Sequence, residues 1–294
     1  MIDPRILRTF LAVCREGSIS GAARWLNISQ PSVSVAIAQL ERSLGGGLFE
    51  RGRQGISRTP AGEALLRRAE MMEVLLADAE EAVALARTGI RGPLRIGGTP
   101  GALVSLVPSA IARMERADHM ALTVIEQADA QLTDLLRRGE IEVAVVTTGL
   151  EPPPSDMIER SIARDPFSLI VGRAHAHLGP VVSLKEVASL GWVLPQAAGA
   201  FHRQIDALFL AAETTLPADV IRCDSLLTSK AIVRRGKRVT VLPRGVVEAE
   251  LSMGLLRAIP IADVPITRTI GIRTLAGRQL SELGSQFVAA IVAD

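Results

Sequence analysis

From Gln30 to Gln39 the chain offers two amides, two hydroxyls and an isopropyl group, from Gln30, Ser32, Ser34, Val35 and Gln39, with no charge among them. They fall outside an apolar stripe of Val33, Ile37, Leu40 and Leu44, whose i, i+4, i+7, i+11 spacing marks one buried helical face. Amides and hydroxyls on an exposed helix can bond base edges or phosphates in a DNA major groove, and a valine can lie against a thymine methyl. The bland reading is a three-helix packing unit with a solvated face. Charge weighs against it. Residues 1–60 hold eight Arg against four Asp plus Glu, an excess of four, whereas the whole chain carries +2. A basic excess gathered on this segment is what phosphate neutralisation requires.

The remaining reactive side chains do not assemble into catalysis. Among His119, His175, His177 and His202 only His175 and His177 are close in sequence, and an H-x-H turn without a Cys or carboxylate pattern reads as surface, not as a metal site. Neither G-x-S-x-G nor a phosphate-binding G-x-x-x-x-G-K-[ST] occurs. Cys14 lies on an apolar stripe. Cys223 stands beside Asp224, but a disulfide switch needs a second cysteine in the same domain, so it reads as an inert core thiol. No catalytic residue, metal or cofactor is expected, and the chain does not read as an enzyme.

The elements that present the polar helix are short. Leu7, Phe10, Leu11 and Cys14 give a first apolar stripe and Ala22, Ala23 and Leu26 a second; Asn27-Ile28-Ser29 then breaks the helix. Ser29 suits an N-cap, Pro31 suits the first turn, and Gly45-Gly46-Gly47 reads as a cap and turn. The run AARWLNISQPSVSVAIAQLERSLGGGLFER, followed by TPAG at 59–62, resembles the winged helix–turn–helix of LysR-type transcriptional regulators. The resemblance implies that Ser29, Gln30, Pro31, Ser32 and Ser34 line the DNA-facing start of the reading helix, with Arg51 and Arg53 in the wing near phosphates. Val35 and Gln39, from the outward face, complete the DNA-binding set. Val35 and Ala36 stand where the family often has long polar residues, and Arg58 where an apolar wing residue is usual. Target preference is therefore expected to rest on thymine methyls and DNA shape.

Leu65, Ala69, Met72, Leu76, Ala79, Val83 and Ala86 follow at alternating spacings of 4 and 3, a heptad seam that predicts a helix over 60–88 stopped by Gly89 and Gly92-Pro93. It could pack on its own chain or pair with a second copy. The resemblance implies the second: a dimerising linker in a homodimer or homotetramer, addressing a two-fold symmetric operator on double-stranded DNA. RNA polymerase is a further expected partner.

From Pro93 the pattern becomes strand–turn–helix. Leu94–Gly97, Leu122–Ile125 and Val143–Val146 read as strands alternating with helices, and a second set runs from Phe167 through Trp192–Leu194, Phe201–Ala212, Val220–Arg222, Ser225–Arg234 and Val239–Leu242. Thr269–Ile272 and a helix from Gln279 to Val292 close the chain. Ligands of open α/β sheets bind at carboxyl strand ends beside helix N-termini, which points to the turns at Thr99-Pro100-Gly101, Ala197 to His202 and Asp224-Ser225, and to Thr147 and Thr148. PLRIGGTPGALVSLVP and RRGEIEVAVV, with Glu142 where Asp is commoner, resemble landmarks of the LysR-type effector domain, as do RAHAHLG, GAFHRQIDALF and VRRGKRVTVLPRG. This implies a periplasmic-binding-protein-like fold with a small effector in the cleft, contacted by Thr99, Pro100, Thr148, Phe201, His202 and Ser225. With no Tyr and 3% aromatics, the cleft suits a small polar or anionic metabolite more than an extended aromatic one.

The expected fold class is a multidomain α+β protein: a winged helix–turn–helix at 1–59, a linker helix at 60–88 and a two-lobed α/β effector domain at 93–294. Lobe I is expected at about 93–163 and 268–294, lobe II at about 164–267. No run approaches the roughly 18–20 apolar residues of a membrane span. The N-terminus enters an amphipathic helix without a secretion-signal order, so a cytoplasmic location is expected. That also disfavours a solute-binding protein carrying an extra helical domain, and an α/β enzyme fused to a DNA-binding head lacks a nucleophile–base pair.

Overall fold

Each helix of the N-terminal part begins on a side chain that supplies oxygen to its otherwise unpaired first N–H groups. The computed structural model describes residues 2–52, 55–114, 119–196, 199–263 and 267–293. Asp3 accepts from the Arg5 N–H (2.8 Å) at α1 (Pro4–Glu16), and Ser18 from Gly21 (3.0 Å) at α2 (Ile19–Leu26). Ser29 accepts from Ser32 (3.2 Å) at α3 (Gln30–Leu44), and Thr59 from Gly62 (3.0 Å) at α4 (Pro60–Ala86). Asn27, at φ 56°, takes the left-handed residue that ends α2 and makes the tight turn into α3.

Leu7, Phe10, Leu11 and Val13 of α1 close on Ala22 and Ala23 of α2, on Val33, Ile37 and Leu40 of α3, and on Leu48. Leu44 continues that stripe in sequence but is 43% exposed, because α3 stops at Gly45. Cys14 is half-buried against this core, and burial pushes its thiol up to about 11. β1 (Phe49–Gly52) and β2 (Gly55–Arg58) pair antiparallel as the hairpin wing. Arg58 does not need an apolar environment there: its Nε donates to Glu63 Oε1 at 2.6 Å. The heptad seam of α4 is divided. Ala69 is fully buried, with Leu65 and Met72 against the same core, while Leu76 (44%) and Val83 (56%) are exposed.

The first compact unit comprises Met1–Thr88 and Arg137–Glu140, the second Gly89–Leu136 and Ile141–Asp294. In the second, β3 (Arg91–Gly98), α5 (Pro100–Met114), β4 (Met120–Glu126), α6 (Asp129–Arg138) and β5 (Val143–Thr147) place β3 between β4 and β5, all parallel. β6 (Met157–Val171), α7 (Leu184–Val187), β7 (Gly191–Leu194), α8 (Ala200–Ala211), β8 (Val220–Arg222), α9 (Leu226–Arg235) and β9 (Arg238–Pro243) follow. Here β7 lies between β8 and β9, again parallel. α10 (Glu248–Ser252), β10 (Arg257–Pro260), β11 (Thr267–Leu275) and α11 (Glu282–Val292) complete the chain.

Two antiparallel strands join these halves. β11 pairs with β5 and with Met157–Pro166 of β6, whereas from Phe167 onward β6 pairs with β9 and β10. The chain thus leaves the β3–β5 lobe along β6 and returns into β11. Separate cores fill the lobes: one is built on Leu94, Ile96, Val143, Val145, Phe287 and Ile291, the other on Trp192, Phe209, Leu169, Val239 and Val241. Glu142 accepts from both the backbone N–H and the hydroxyl (2.9 Å) of Ser281, which anchors the start of α11.

Gly62 tests the packing of the N-terminal unit. A Cβ there would stand 2.2 Å from the Leu48 carbonyl oxygen, a backbone atom that cannot swing away. Gly62→Ala is expected to destabilise this unit by about 2 kcal/mol, as overpacking does. Hydrogen exchange of the α1–α3 amides checks this; unchanged protection would contradict the packing.

Candidate DNA-reading helix and effector cavity

α3 presents an uncharged surface because its charged residues begin only at Glu41. Gln30, Pro31, Ser32, Val35 and Gln39 are exposed, Val35 to 62%, and Ser34 is half-buried. Ser29 and Ser32 share a hydroxyl–hydroxyl hydrogen bond of 2.7 Å, so part of their polarity is spent fixing the helix start. Arg51 sits on β1 opposite Ile56, and Arg53 lies outside the described residues.

In the second unit a cavity of about 690 Å³ opens between the two lobes. It gathers the carboxyl ends of β4, β5, β7 and β9 and the first turns of α5, α6, α8 and α9. This follows from parallel strands in each lobe, since every strand-to-helix connection emerges on the same side of the sheet. Thr99, Pro100, Phe201 and His202 line it, as does Gly199, the N-cap of α8, which brings no side chain to that helix's first N–H groups.

Thr148 and Ser225 do not line it. Thr148 is 3% exposed and shares a 2.9 Å hydrogen bond with the Ser161 hydroxyl, while its neighbour Thr147 reaches the cavity; successive strand side chains point to opposite faces. Ser225 caps α9 by accepting from the Thr228 N–H at 3.3 Å, which leaves the lining to Asp224, Leu226 and Ser229. Of the turn at 197–202, positions 197–198 lie outside the described residues. His175 is not a surface residue: it is 6% exposed and its Nε2 bonds the Lys237 carbonyl at 2.7 Å. Cys223, expected in a core, packs half-buried against the cluster of Ile170, Val193 and Val233 and also lines the cavity.

The sequence reading missed Arg268. This residue lines the cavity with only 4% of its side chain exposed. Its Nη2 donates to Asp165 Oδ2 (3.0 Å), Ser105 Oγ (3.2 Å) and the Gly101 carbonyl (3.4 Å). Asp165 in turn accepts from the Gly245 N–H at 3.0 Å. Burial lowers the Arg268 pKa from its ordinary value, against the pull of Asp165. A signal was available: Arg268, Ile270 and Ile272 share one face of an alternating strand, and a charge at an inward position is the informative exception.

The regions carrying these two sites match known families. Residues 87–294 match the LysR substrate binding domain, and residues 4–63 match the bacterial regulatory helix-turn-helix protein, lysR family. The HTH-type transcriptional regulator GalR of Pseudomonas putida is 26% identical over 296 residues, covering 99% of this chain and 74% of that protein. The crystal structure of ArgP from Mycobacterium tuberculosis superposes with a TM-score of 0.68 at 19% identity, covering 100% of this chain and 97% of that one. Full-length CbnR complexed with its target DNA gives 0.64 at 20% identity, covering 98% of each chain. At these identities the structural likeness establishes the fold.

Removing one member of the buried pair leaves the other charge stranded. Asp165→Ala or Arg268→Met is expected to cost about 3–5 kcal/mol, and a double change to Asn and Gln much less. Thermal unfolding of the four proteins checks this; equal losses in single and double variants would contradict it.

Proposed function

Because the chain belongs to the LysR family of transcriptional regulators, we propose that it reads a two-fold symmetric operator with the exposed face of α3 and answers to a small effector held between its lobes. It is a DNA-binding regulator with an effector-binding domain, and members of its family are not enzymes. The observation that carries the finer reading is the uncharged, exposed α3 surface of Gln30, Ser32, Val35 and Gln39 on a basic segment. Ser29, Pro31 and Ser34 set its start, and Arg51 and Arg53 supply the wing's phosphate contacts. Lacking an arginine fork, the face favours adenine through glutamine and thymine through valine. We assign residues 1–59 to this head, 60–88 to the linker and 93–294 to the effector domain.

The exposed half of the α4 seam supports pairing with a second copy, giving two heads. A homodimer meets that need and a homotetramer would extend it, with RNA polymerase the expected protein partner at the promoter. No described helix is long and apolar enough to cross a membrane, and we place the protein in the cytoplasm with the DNA it reads. The cavity reading rests on four helix starts around one space, with Thr99, Pro100, Phe201 and His202 at its wall.

DNA titrations at two salt concentrations separate the roles. Arg51→Ala with Arg53→Ala should weaken every sequence alike and reduce the salt slope by about 2. Gln30→Ala should instead narrow the gap between target and scrambled DNA by about 1–3 kcal/mol. Unchanged low-salt affinity in the arginine variant would contradict the wing assignment. For the linker, Leu76→Asp with Val83→Asp should shift sedimentation toward monomer; an unchanged species would contradict pairing through α4.

A further inference from the structure

The cavity holds a buried cation whose hydrogen bonding is incomplete. Every hydrogen bond that Arg268 makes among the described residues leaves from Nη2, and these run to Asp165, Ser105 and Gly101. Its Nε is buried and has no acceptor. A guanidinium carries five N–H donors in a planar fork, and a buried donor left unpaired is destabilising. Gly101 makes room for the fork. A Cβ at that position would stand 2.6 Å from Nη1, so the first turn of α5 is bare backbone where the guanidinium faces it.

The acids on the lining are largely engaged elsewhere. Asp129 Oδ2 accepts from Arg273 (3.1 Å) and Asp224 Oδ1 from the Gln196 N–H (2.7 Å), while Glu126 is exposed. Arg203 also lines the cavity but pairs with Glu151 at 3.2 Å, so three acids on the wall disfavour a ligand with two negative groups. One such group would find the spare donors of Arg268, and the uncapped start of α8 opens onto the same cavity. Leu226, Leu242, Val246 and Phe201 offer apolar surface to the rest of the molecule.

We propose that the effector is a small organic acid with one carboxylate, captured by the unused donors of Arg268 at the start of α5. The proposal rests on the reading of this cavity as the effector site, and names its chemistry. It also gives binding a route to the hinge. Arg268 lies on β11 and Asp165 on β6, the strands by which the chain passes between lobes, and Asp165 holds the Gly245 N–H. A ligand carboxylate would share the guanidinium with Asp165 and loosen the tie between them.

Cys223 lines the same cavity and reports on occupancy whatever the ligand's charge. Full-length protein is alkylated with iodoacetamide, and Cys223 and Cys14 are quantified separately by peptide mass spectrometry. The probes are butyrate, benzoate and phenylacetate at fixed ionic strength, each beside its amide. The expected result is that an acid slows Cys223 labelling, by about tenfold at a concentration tenfold above its Kd, and that its amide does not. In Arg268→Gln with Asp165→Asn, which strands no charge, the acid no longer protects; Arg268→Lys, which keeps a cation, retains part of the protection. Amides protecting as well as acids would overturn the carboxylate and leave the cavity standing as an effector site. Acids protecting the double variant as well as the native protein would overturn the role of Arg268. Protection by no compound would overturn the proposal and count against the cavity itself.

Discussion

The second unit depends on one buried ion pair placed where its two lobes are joined. Arg268 and Asp165 stand on the neighbouring strands β11 and β6, at the level where β6 ceases to pair with β11 and begins to pair with β9 and β10. From there Arg268 reaches α5 in one lobe, and Asp165 holds the backbone of Gly245 in the other. Apolar residues of similar size would fill the space at no greater cost, so stability alone does not account for the pair. What a charged pair adds is direction: it fixes which atoms of each lobe meet, and it can respond to a third charge. Trimming at Gly101 and Gly245, where a Cβ would stand 2.6 Å from Arg268 and 3.0 Å from Asp165, serves the same arrangement.

The first unit solves a different problem. A helix that keeps a polar face exposed cannot bury much of its surface, so α3 is held by three residues, Val33, Ile37 and Leu40, and by a capped start. α1, α2, the N-terminal half of α4 and Leu48, with Phe49 and Ile56 of the wing, supply the rest of the core. α4 then serves two purposes along its length: Ala69 and Met72 belong to the head, while Leu76 and Val83 are left for another surface. A heptad pattern read as one seam is physically two.

Much of this was legible in the sequence, for identifiable reasons. Caps such as Ser29 and Asn27 act within a few residues, and the strands β3, β4 and β5 are short apolar runs bounded by turn residues. The long strand β6 was legible only from Phe167. Its first half carries the exposed Arg160, Ser161 and Arg164 and then Pro166, features of an edge strand rather than a core one. The cavity was legible as a set of helix starts, but not at the resolution of single residues. Thr147 and Thr148 differ only by strand phase, and Ser225 has the chemistry of a ligand contact while serving as a cap. Arg268 depends on Asp165, 103 positions away, and local pattern carries no information about such a pairing.

Whether the uncharged face of α3 reads a specific symmetric site is decided by selecting bound DNA from a random pool with the full-length protein at two salt concentrations. The expected product is an inverted repeat of two short half-sites, with A·T pairs at the positions facing Gln30 and Val35, recovered at both salts. Retention that is sequence-independent and vanishes at the higher salt would contradict it, leaving a basic head that binds phosphate without reading bases.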